Sequence, residues 1–547
     1  MPYTPENSYD NDQKIWSGEP VVKYFDPDLS IGEIIFHEMR RHPQLTAQIS
    51  ATEGTVLTRG ELLANAMRLA SYMRSLGLLQ SDIVGLIGRN TTHMLAVAYA
   101  CFFNGIAFHS LNITYDRDTI EKIYKVTRPS IIFCDGDEFE KVRSATAELD
   151  VKIVTMRNHP LDSIKIDEVV ATPIEENFQP AKLEKGNEQT LAILCSSGTT
   201  GTPKAVTITN SRHILAGYYP PLTTADIQYS HNTLDWITGL YAAITSGVFS
   251  TTRIIADNAF DPAFALRIIE EYKVTWTVQP PSSMALMINC PDFETCDLSS
   301  LRCYMFGGSR AGLEVQKGIR SRLSHDCLQF VYGLTELGAM AAINCHFDEK
   351  PGSVGRLVNG LKLKIINDDG ESLGPHEIGE VCIMNNQYWS GYYGNEVETR
   401  NMRDSLGWYH SGDLGYMDRD GFLYIMDRKK EMLKYQNIMY YPNDIESVIS
   451  EMPQVAEVCV FGIWSNIFGD EAAAAVVKKL GSELEAQDVV DYVRSRTDSK
   501  YKQLNGGAVI VDDLQRSANG KTNRMANKAH FLHLKNRKNI LLSQINT

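Results

Sequence analysis

Four short segments carry residues whose types and spacing suit phosphate and nucleotide chemistry. The first is "CSSGTTGTPKAV", Cys195 to Val206. Backbone N–H groups in such a Gly-rich turn can point inward on an anion, with Ser and Thr hydroxyls as further donors and Lys204 as a charge. The spacing is not that of a P-loop: Gly198 and Gly201 are too close, and Lys204 follows Pro203. The second, "VYGLTELGAM", puts Tyr332, Thr335 and Glu336 in a turn after the apolar run "CLQFV". An aromatic ring can stack on a base, and a Glu is a hard oxygen ligand for Mg²⁺. The third, "GWYHSGDLGYMDRDG", holds Asp413, whose carboxylate can accept ribose hydroxyls. The fourth, "RSANGKTNR", presents Lys521 on a loop. Taken singly, each has a plainer reading: a polar turn, a turn with a Glu, an Asx-turn, a solvated lysine.

These segments must be positioned by a scaffold, and the chain alternates strand and helix patterns around them. "LTRGELLANAMRLASYMRSLG" has helical periodicity, with Thr58 as N-cap and Glu61 three residues on, the capping-box spacing. "DIVGLIG", "PSIIFCDG", "KVTWTVQPPS" and "LRCYMFGGS" read as buried strands. "TLAILCSSGTTGTPKAVTITN" reads as strand, polar loop, second β-rich stretch. This alternation predicts an α/β protein with largely parallel sheets. From about residue 350 the runs alternate apolar and polar and are joined by "DDGES" and "GPHEIG", which predicts antiparallel hairpins and a small barrel. After about residue 430 comes a compact α+β set, with the domain boundary expected near Asp427–Lys430.

At 547 residues the chain is too long for one compact core, and 43% hydrophobic with 22% charged residues is an ordinary globular composition. The net charge of −14 disfavours general binding of nucleic acid or anionic lipid. The ten cysteines form no CxxC pair and read as reduced core residues; a zinc site is not expected. "MPYTPENSYDNDQK" has neither signal-peptide nor transit-peptide character. The longest apolar run, "MLAVAYACFFNGIAF", is too short for a membrane span and reads as a buried helix. The terminal Ile545-Asn546-Thr547 is not a Ser-Lys-Leu type peroxisomal address, so a cytoplasmic location is the expectation, with the peroxisome as the alternative.

The four segments occur together and in order with "EIGEVCI", "SGYYGNEVET", "GWYHSGDLGYMDRDGFLYIMDRKKEMLK", "YYPNDIESVI" and "NGKTNR". In this set the chain resembles the AMP-forming adenylating superfamily: acyl-CoA synthetases, 4-coumarate–CoA ligases, firefly-type luciferases and peptide-synthetase adenylation domains. It is most similar to the insect luciferase-like acyl-CoA synthetases. The resemblance covers most of the chain after residue 190. It implies a large N-terminal domain (1–428) of two α/β layered subdomains plus a distorted β-barrel, and a small mobile α+β C-terminal domain (429–547).

It also implies an ATP-dependent acid–thiol ligase using ATP, Mg²⁺ and the co-substrate CoA. By match to the family motifs, Ser196, Ser197, Gly198, Thr199, Thr200, Gly201 and Lys204 would grip the β- and γ-phosphates. Tyr332 would lie against adenine, Thr335 would bind the α-phosphate, and Glu336 would hold Mg²⁺. Asp413 would take the ribose hydroxyls, with Arg428 beside it. Lys521 would bridge the substrate carboxylate and the α-phosphate. Lys430 falls at the family's hinge, and the region around Lys434 would serve thioester formation after the small domain rotates. Trp236, Gly307, Gly308 and the Gly333 turn would wall the acyl pocket. A medium- or long-chain fatty acid is the expected substrate, with aryl-propenoic acids second.

Two departures from the family pattern stand out. Asn437 occupies the position where the motif after the hinge has Gly; Asn is the non-Gly residue best suited to a left-handed turn, but its side chain bears on the CoA step. Trp236 falls about where luciferases and many relatives carry a His, which speaks against light emission. Two other readings follow: a luciferase-like adenylate-forming oxygenase, which shares every motif, and a non-catalytic acyl- or nucleotide-binding relative, whose only support is Asn437.

Overall fold

The computed structural model describes residues 5–21, 25–26, 28–196, 203–211, 222–309, 311–323, 327–436, 438–497, 499–517 and 520–545. Four sheets organise them. The first has seven strands in the order Lys204–Thr209, Thr190–Ser196, Ala107–Ser110, Ile83–Ile87, Ile131–Cys134, Lys152–Thr155, Ile164–Lys165. All its pairs are parallel except that of Thr190–Ser196 with Lys204–Thr209. The second has nine strands, and its central five pairs, from Leu328–Leu334 through Cys303–Gly307, Trp276–Gln279, Ile227–Tyr229 and Thr252–Ile255 to Thr46–Ser50, are parallel. These are the two α/β layers expected from the strand–helix alternation.

The helices between the sheets form for local reasons. Helix Arg59–Ser75 starts on the capping box read from sequence: the Glu61 N–H donates to Thr58 Oγ1 at 3.2 Å, and the Thr58 N–H donates to Glu61 Oε2 at 2.8 Å. The run "MLAVAYACFFN" is helix Met94–Asn104, with every residue buried. It ends at Gly105, whose φ of 67° is a left-handed cap that a side chain would strain. Each fully buried Leu or Phe in such a helix contributes about 1.5–3 kcal/mol.

The third sheet is antiparallel, in the order Asn7–Asp10, Ile15–Gly18, Leu361–Ile366, Gly379–Asn385, Tyr409–Met417, Leu423–Arg428. Its strand path is open, but one segment ties both edges together. Leu357 exchanges two hydrogen bonds with the side chain of Asn7, at 3.0 and 3.1 Å, while Val354 and Gly355 exchange bonds with Leu423, each 2.8 Å. The barrel is therefore closed through residues 354–357. Gly355 makes that closure possible: its φ is 101°, and a Cβ there would lie 1.8 Å from Ile343 O. Residues 7–18 supply two strands of this barrel and bury Trp16.

The fourth sheet joins Ile438–Tyr440, Leu433–Tyr435, Gly469–Lys478, Val455–Ser465 and Gly507–Val511. One hydrophobic core includes Trp16, Val97, Leu194, Tyr304, Leu363 and Leu423. A separate core includes Tyr435, Ile449, Val476 and Val493. Between them runs the segment 426–432. The strands Leu433–Tyr435 and Ile438–Tyr440 pair antiparallel with Tyr435 opposite Ile438, the register of a tight hairpin turn. Gln436 has φ 54°, the positive value such turns require; Asn437 lies outside the described residues. No helix among the described residues is long and apolar enough to cross a membrane.

Candidate active site

The site is assembled where the second, third and fourth sheets meet. Strands Tyr409–Met417 and Leu423–Arg428 pair so that Asp413 lies directly opposite Arg428. Such cross-strand neighbours face one another, and Arg428 Nε comes within 3.4 Å of Asp413 Oδ1. Tyr332 Oη donates to the other oxygen, Oδ2, at 2.6 Å. Asp413 is only 5% exposed. Burial pushes its carboxyl above the ordinary value, against the pull of Arg428 and of the Tyr332 hydrogen bond. Tyr332 is aimed there by a bulge: strand Leu328–Leu334 loses register with Ala339–Asn344 between Tyr332 and Gly333. The chain then makes one tight turn, Thr335–Leu337, closed by the Gly338 N–H on Thr335 O at 2.9 Å.

That turn brings Glu336 to a second cluster. Tyr392 Oη donates to Glu336 Oε1 at 2.7 Å, and the Lys204 ammonium lies 4.9 Å from the centre of the Tyr392 ring. Lys204 also forms an ion pair with Glu398. The loop carrying Tyr392 is docked on strand Lys204–Thr209: the Tyr393 N–H donates to Ala205 O at 2.8 Å, and Thr207 Oγ1 donates to Gly391 O at 2.6 Å. Ser196 stands opposite Lys204 at the mouth of the hairpin that carries the "SSGTTGTP" loop. Ser197, Gly198, Thr199, Thr200 and Gly201 lie outside the described residues.

Lys521 comes from the far end of the chain. Its carbonyl accepts the Ser517 N–H at 2.8 Å, which closes the turn that projects it. Its side chain reaches the large N-terminal part: a Cβ built at Gly308 would have Lys521 Cε as its nearest neighbour, at 3.7 Å. Burial pushes the Lys521 ammonium down to about 8; Arg428 pushes the same way, while Asp413 and Glu336 oppose it. Gly308 has φ 86°, a left-handed value that suits glycine. Gly307 has a packing reason to be glycine, since a Cβ there would lie 2.2 Å from Val331 O on the adjacent strand. Trp236 is half-buried and caps helix Ile237–Val248, next to the buried Asp235, and Gly333 is exposed at the bulge.

The segment joining the two cores is held by buried polar contacts. Asp427 is 3% exposed and accepts the N–H groups of Arg428 at 2.7 Å and Asn443 at 3.4 Å. Burial pushes its carboxyl up to about 6, with Arg524 pulling it down. Arg524 Nε lies 3.0 Å from Glu431, and its Nη1 pairs with Glu446. Asn443 Nδ2 donates to Met426 O at 3.1 Å. Lys430 is exposed within this segment. Lys434 is exposed on strand Leu433–Tyr435, its N–H on Asp470 Oδ2 at 3.1 Å, and it takes no part in the contacts that gather Lys521, Asp413 and Tyr332.

The structure thus gathers Tyr332, Glu336, Asp413, Arg428 and Lys521. It adds residues to which the sequence reading gave no role: Tyr392, Glu398, Asp427, Glu431 and Arg524. Tyr392 and Glu398 lie in "SGYYGNEVET", and Arg524 closes "NGKTNR", so their segments were visible but their partners were not.

The comparisons agree with this architecture. Residues 35–393 match the family model for AMP-binding enzymes, and residues 444–521 match that for the AMP-binding enzyme C-terminal domain. A 4-coumarate–CoA ligase of Humulus lupulus is 26% identical over 524 residues, covering 93% of this chain and 95% of that protein. A luciferin 4-monooxygenase of Photuris pensylvanica is 27% identical over 535 residues, covering 92% and 96%. Among solved structures, an anthranilate CoA ligase in complex with anthranoyl-AMP superposes with a TM-score of 0.84 at 20% identity, over 92% of this chain and 98% of that one. The luciferase-like enzyme from the nonluminescent Zophobas morio mealworm gives 0.69 at 25% identity, over 76% and 99%. With the family model covering most of its length, the chain belongs to the AMP-binding enzyme family.

Proposed function

We propose that this protein joins a carboxylic acid to CoA in two steps in one site. In the first, a carboxylate oxygen attacks the α-phosphorus of ATP, the new P–O bond forms, and pyrophosphate leaves. In the second, the CoA thiol attacks the acyl carbon, the C–O bond to AMP breaks, and the thiol proton passes to solvent. The observation that carries this reading is the insertion of Lys521 beside Gly308, Asp413, Arg428 and Glu336. A lysine there supplies positive charge where the attacking carboxylate and the α-phosphate accumulate negative charge, and it is already desolvated. Thr335 sits in the same turn as Glu336 and is proposed to bind the α-phosphate.

Asp413 and Tyr332 are proposed to hold the ribose and adenine, with Arg428 beside them. The bond between Tyr332 and Asp413 leaves Asp413 Oδ1 facing Arg428 and open to ribose hydroxyls. Ser196, Lys204 and the residues between them are proposed to take the β- and γ-phosphates; Lys204 would exchange Glu398 for phosphate when ATP binds. Glu336 fits Mg²⁺: its Oε1 carries the Tyr392 hydrogen bond, so the carboxylate is oriented in the way a metal-binding oxygen needs. A single carboxylate plus substrate phosphates is a common Mg²⁺ site, and the bound ion would neutralise phosphate charge.

The unit boundary is proposed at 428/429, with Lys430 as the hinge about which residues 429–547 turn to present Lys434 for the CoA step. The acid is proposed to be a medium- or long-chain fatty acid or an aryl acid, bounded by Trp236, Gly307, Gly308 and Gly333. The aryl arm gains support from relatives named for 4-coumarate and anthranilate. A cytoplasmic location is proposed with it. The experiment is CoA-dependent AMP release across a panel of fatty and aryl acids. Release with at least one acid is expected; no turnover with any acid across the panel overturns the ligase reading.

A further inference from the structure

Two arginines that the reaction does not use are buried between the helices and the second sheet. Arg59, the first residue of helix Arg59–Ser75, is 2% exposed. Its Nη2 donates to Ser250 O, but its Nε and Nη1 are buried with no hydrogen-bond partner. Arg253, on strand Thr252–Ile255, is also 2% exposed, and its Nε and Nη2 have no partner. Among the described residues neither guanidinium has a carboxylate within ion-pair distance. The carboxylate that Arg59 feels is Glu38, which is bonded instead to Arg41 at 3.0 Å. The group felt by Arg253 is the phenol of Tyr99. Gln48 lies opposite Arg253 and has an unpartnered Oε1, but an amide brings no counter-charge.

Arg59 lines a small cavity together with Tyr99, Ser246, Ser250 and Thr251 over an apolar floor; Arg253 is not in its lining but acts on Tyr99, which is. The cavity has space for about one water-sized sphere. Ser250 Oγ is buried there without a partner, and Ser250 takes the left-handed backbone conformation at φ 57°. Two guanidinium groups keep their charge at neutral pH and are costly to bury uncompensated. A water would satisfy donors without neutralising charge.

We propose that this cavity is a binding site for one halide-sized inorganic anion, held by Arg59 and the Ser250 hydroxyl, with Arg253 adding charge beside Tyr99. The site is separate from the nucleotide site and would act on the stability of the N-terminal part. The test uses the full chain and chloride or bromide as probes. Crystals soaked in bromide should show an anomalous peak within hydrogen-bond reach of Arg59 and Ser250. In thermal unfolding at matched ionic strength, chloride against gluconate should raise the folded-to-unfolded ratio about elevenfold at ten times its dissociation constant. Arg59→Met and Ser250→Ala should each weaken or abolish that dependence. Ser250→Ala and the bromide map decide the matter if Arg59→Met does not fold. A water in place of bromide, or an undiminished chloride effect in Ser250→Ala, overturns the proposal.

Discussion

Tyr332 Oη and Asp413 Oδ2 are joined by a 2.6 Å hydrogen bond that links the second sheet to the barrel. The acceptor is a nearly buried carboxylate, so removing the donor leaves it undersatisfied, at a cost of about 1–3 kcal/mol. Tyr332→Phe keeps the ring and deletes only this bond. AMP affinity measured by calorimetry is expected to fall about tenfold. Unchanged affinity would show that the pair does not shape the nucleotide site.

The charge state of Lys521 sets an alkaline limit. A lysine is charged below its pKa, and here burial lowers that value to about 8. In the free enzyme the ammonium is present at neutral pH and lost as pH rises through that value. The kcat/KM for pyrophosphate exchange is therefore expected to fall on the alkaline side with a midpoint near 8. Lys521→Arg retains its charge to much higher pH, so its residual activity should lack that limb. An identical limb in both enzymes counts against Lys521 as its source.

Besides Glu431 and Glu446, Arg524 donates to Asn443 Oδ1 at 3.4 Å, and Asn443 bonds Met426 O and Asp427 across the proposed 428/429 boundary, so Arg524 supports the arrangement that presents Lys521. Breaking such a partly buried network leaves carboxylates uncompensated. Arg524→Met is expected to lower the adenylation rate about tenfold, equivalent to about 1.4 kcal/mol. The rate of thioester formation from supplied acyl-adenylate should fall less. Equal losses in both half-reactions would mean that Arg524 supports the fold rather than this one arrangement; Glu431→Gln serves as a milder companion variant.

Tyr392 orients Glu336 through a 2.7 Å hydrogen bond. Partners of this kind typically affect metal affinity about 10–100-fold. Tyr392→Phe is expected to raise the Mg²⁺ concentration for half-maximal pyrophosphate exchange by about tenfold, with kcat at saturating Mg²⁺ changed little. A fall in kcat with no change in Mg²⁺ dependence would assign Tyr392 another role.

Much of this arrangement was readable locally. The Thr58 capping box, the buried helix Met94–Asn104 and the strand–loop–strand around Lys204 are all set by neighbours within a few residues. What was not readable depends on contacts across the chain. Asn7 and Leu357 are 350 residues apart, and the polar character of the first residues gives no sign that they complete a barrel. Glu336 and Tyr392 are 56 apart, Glu431 and Arg524 are 93 apart, and each pair looks like ordinary surface charge or a turn tyrosine until folded. Gly307 carries a packing constraint invisible in the sequence: a Cβ there would lie 2.2 Å from Val331 O on the neighbouring strand.

The most direct test of the adenylation chemistry is acid-dependent pyrophosphate exchange in Lys521→Ala beside the unaltered enzyme. Exchange is expected to fall by about 10²–10³, the scale lost with one positioned charge-stabilising donor, while ATP binding stays detectable. Exchange at the unaltered rate would contradict the role given to Lys521.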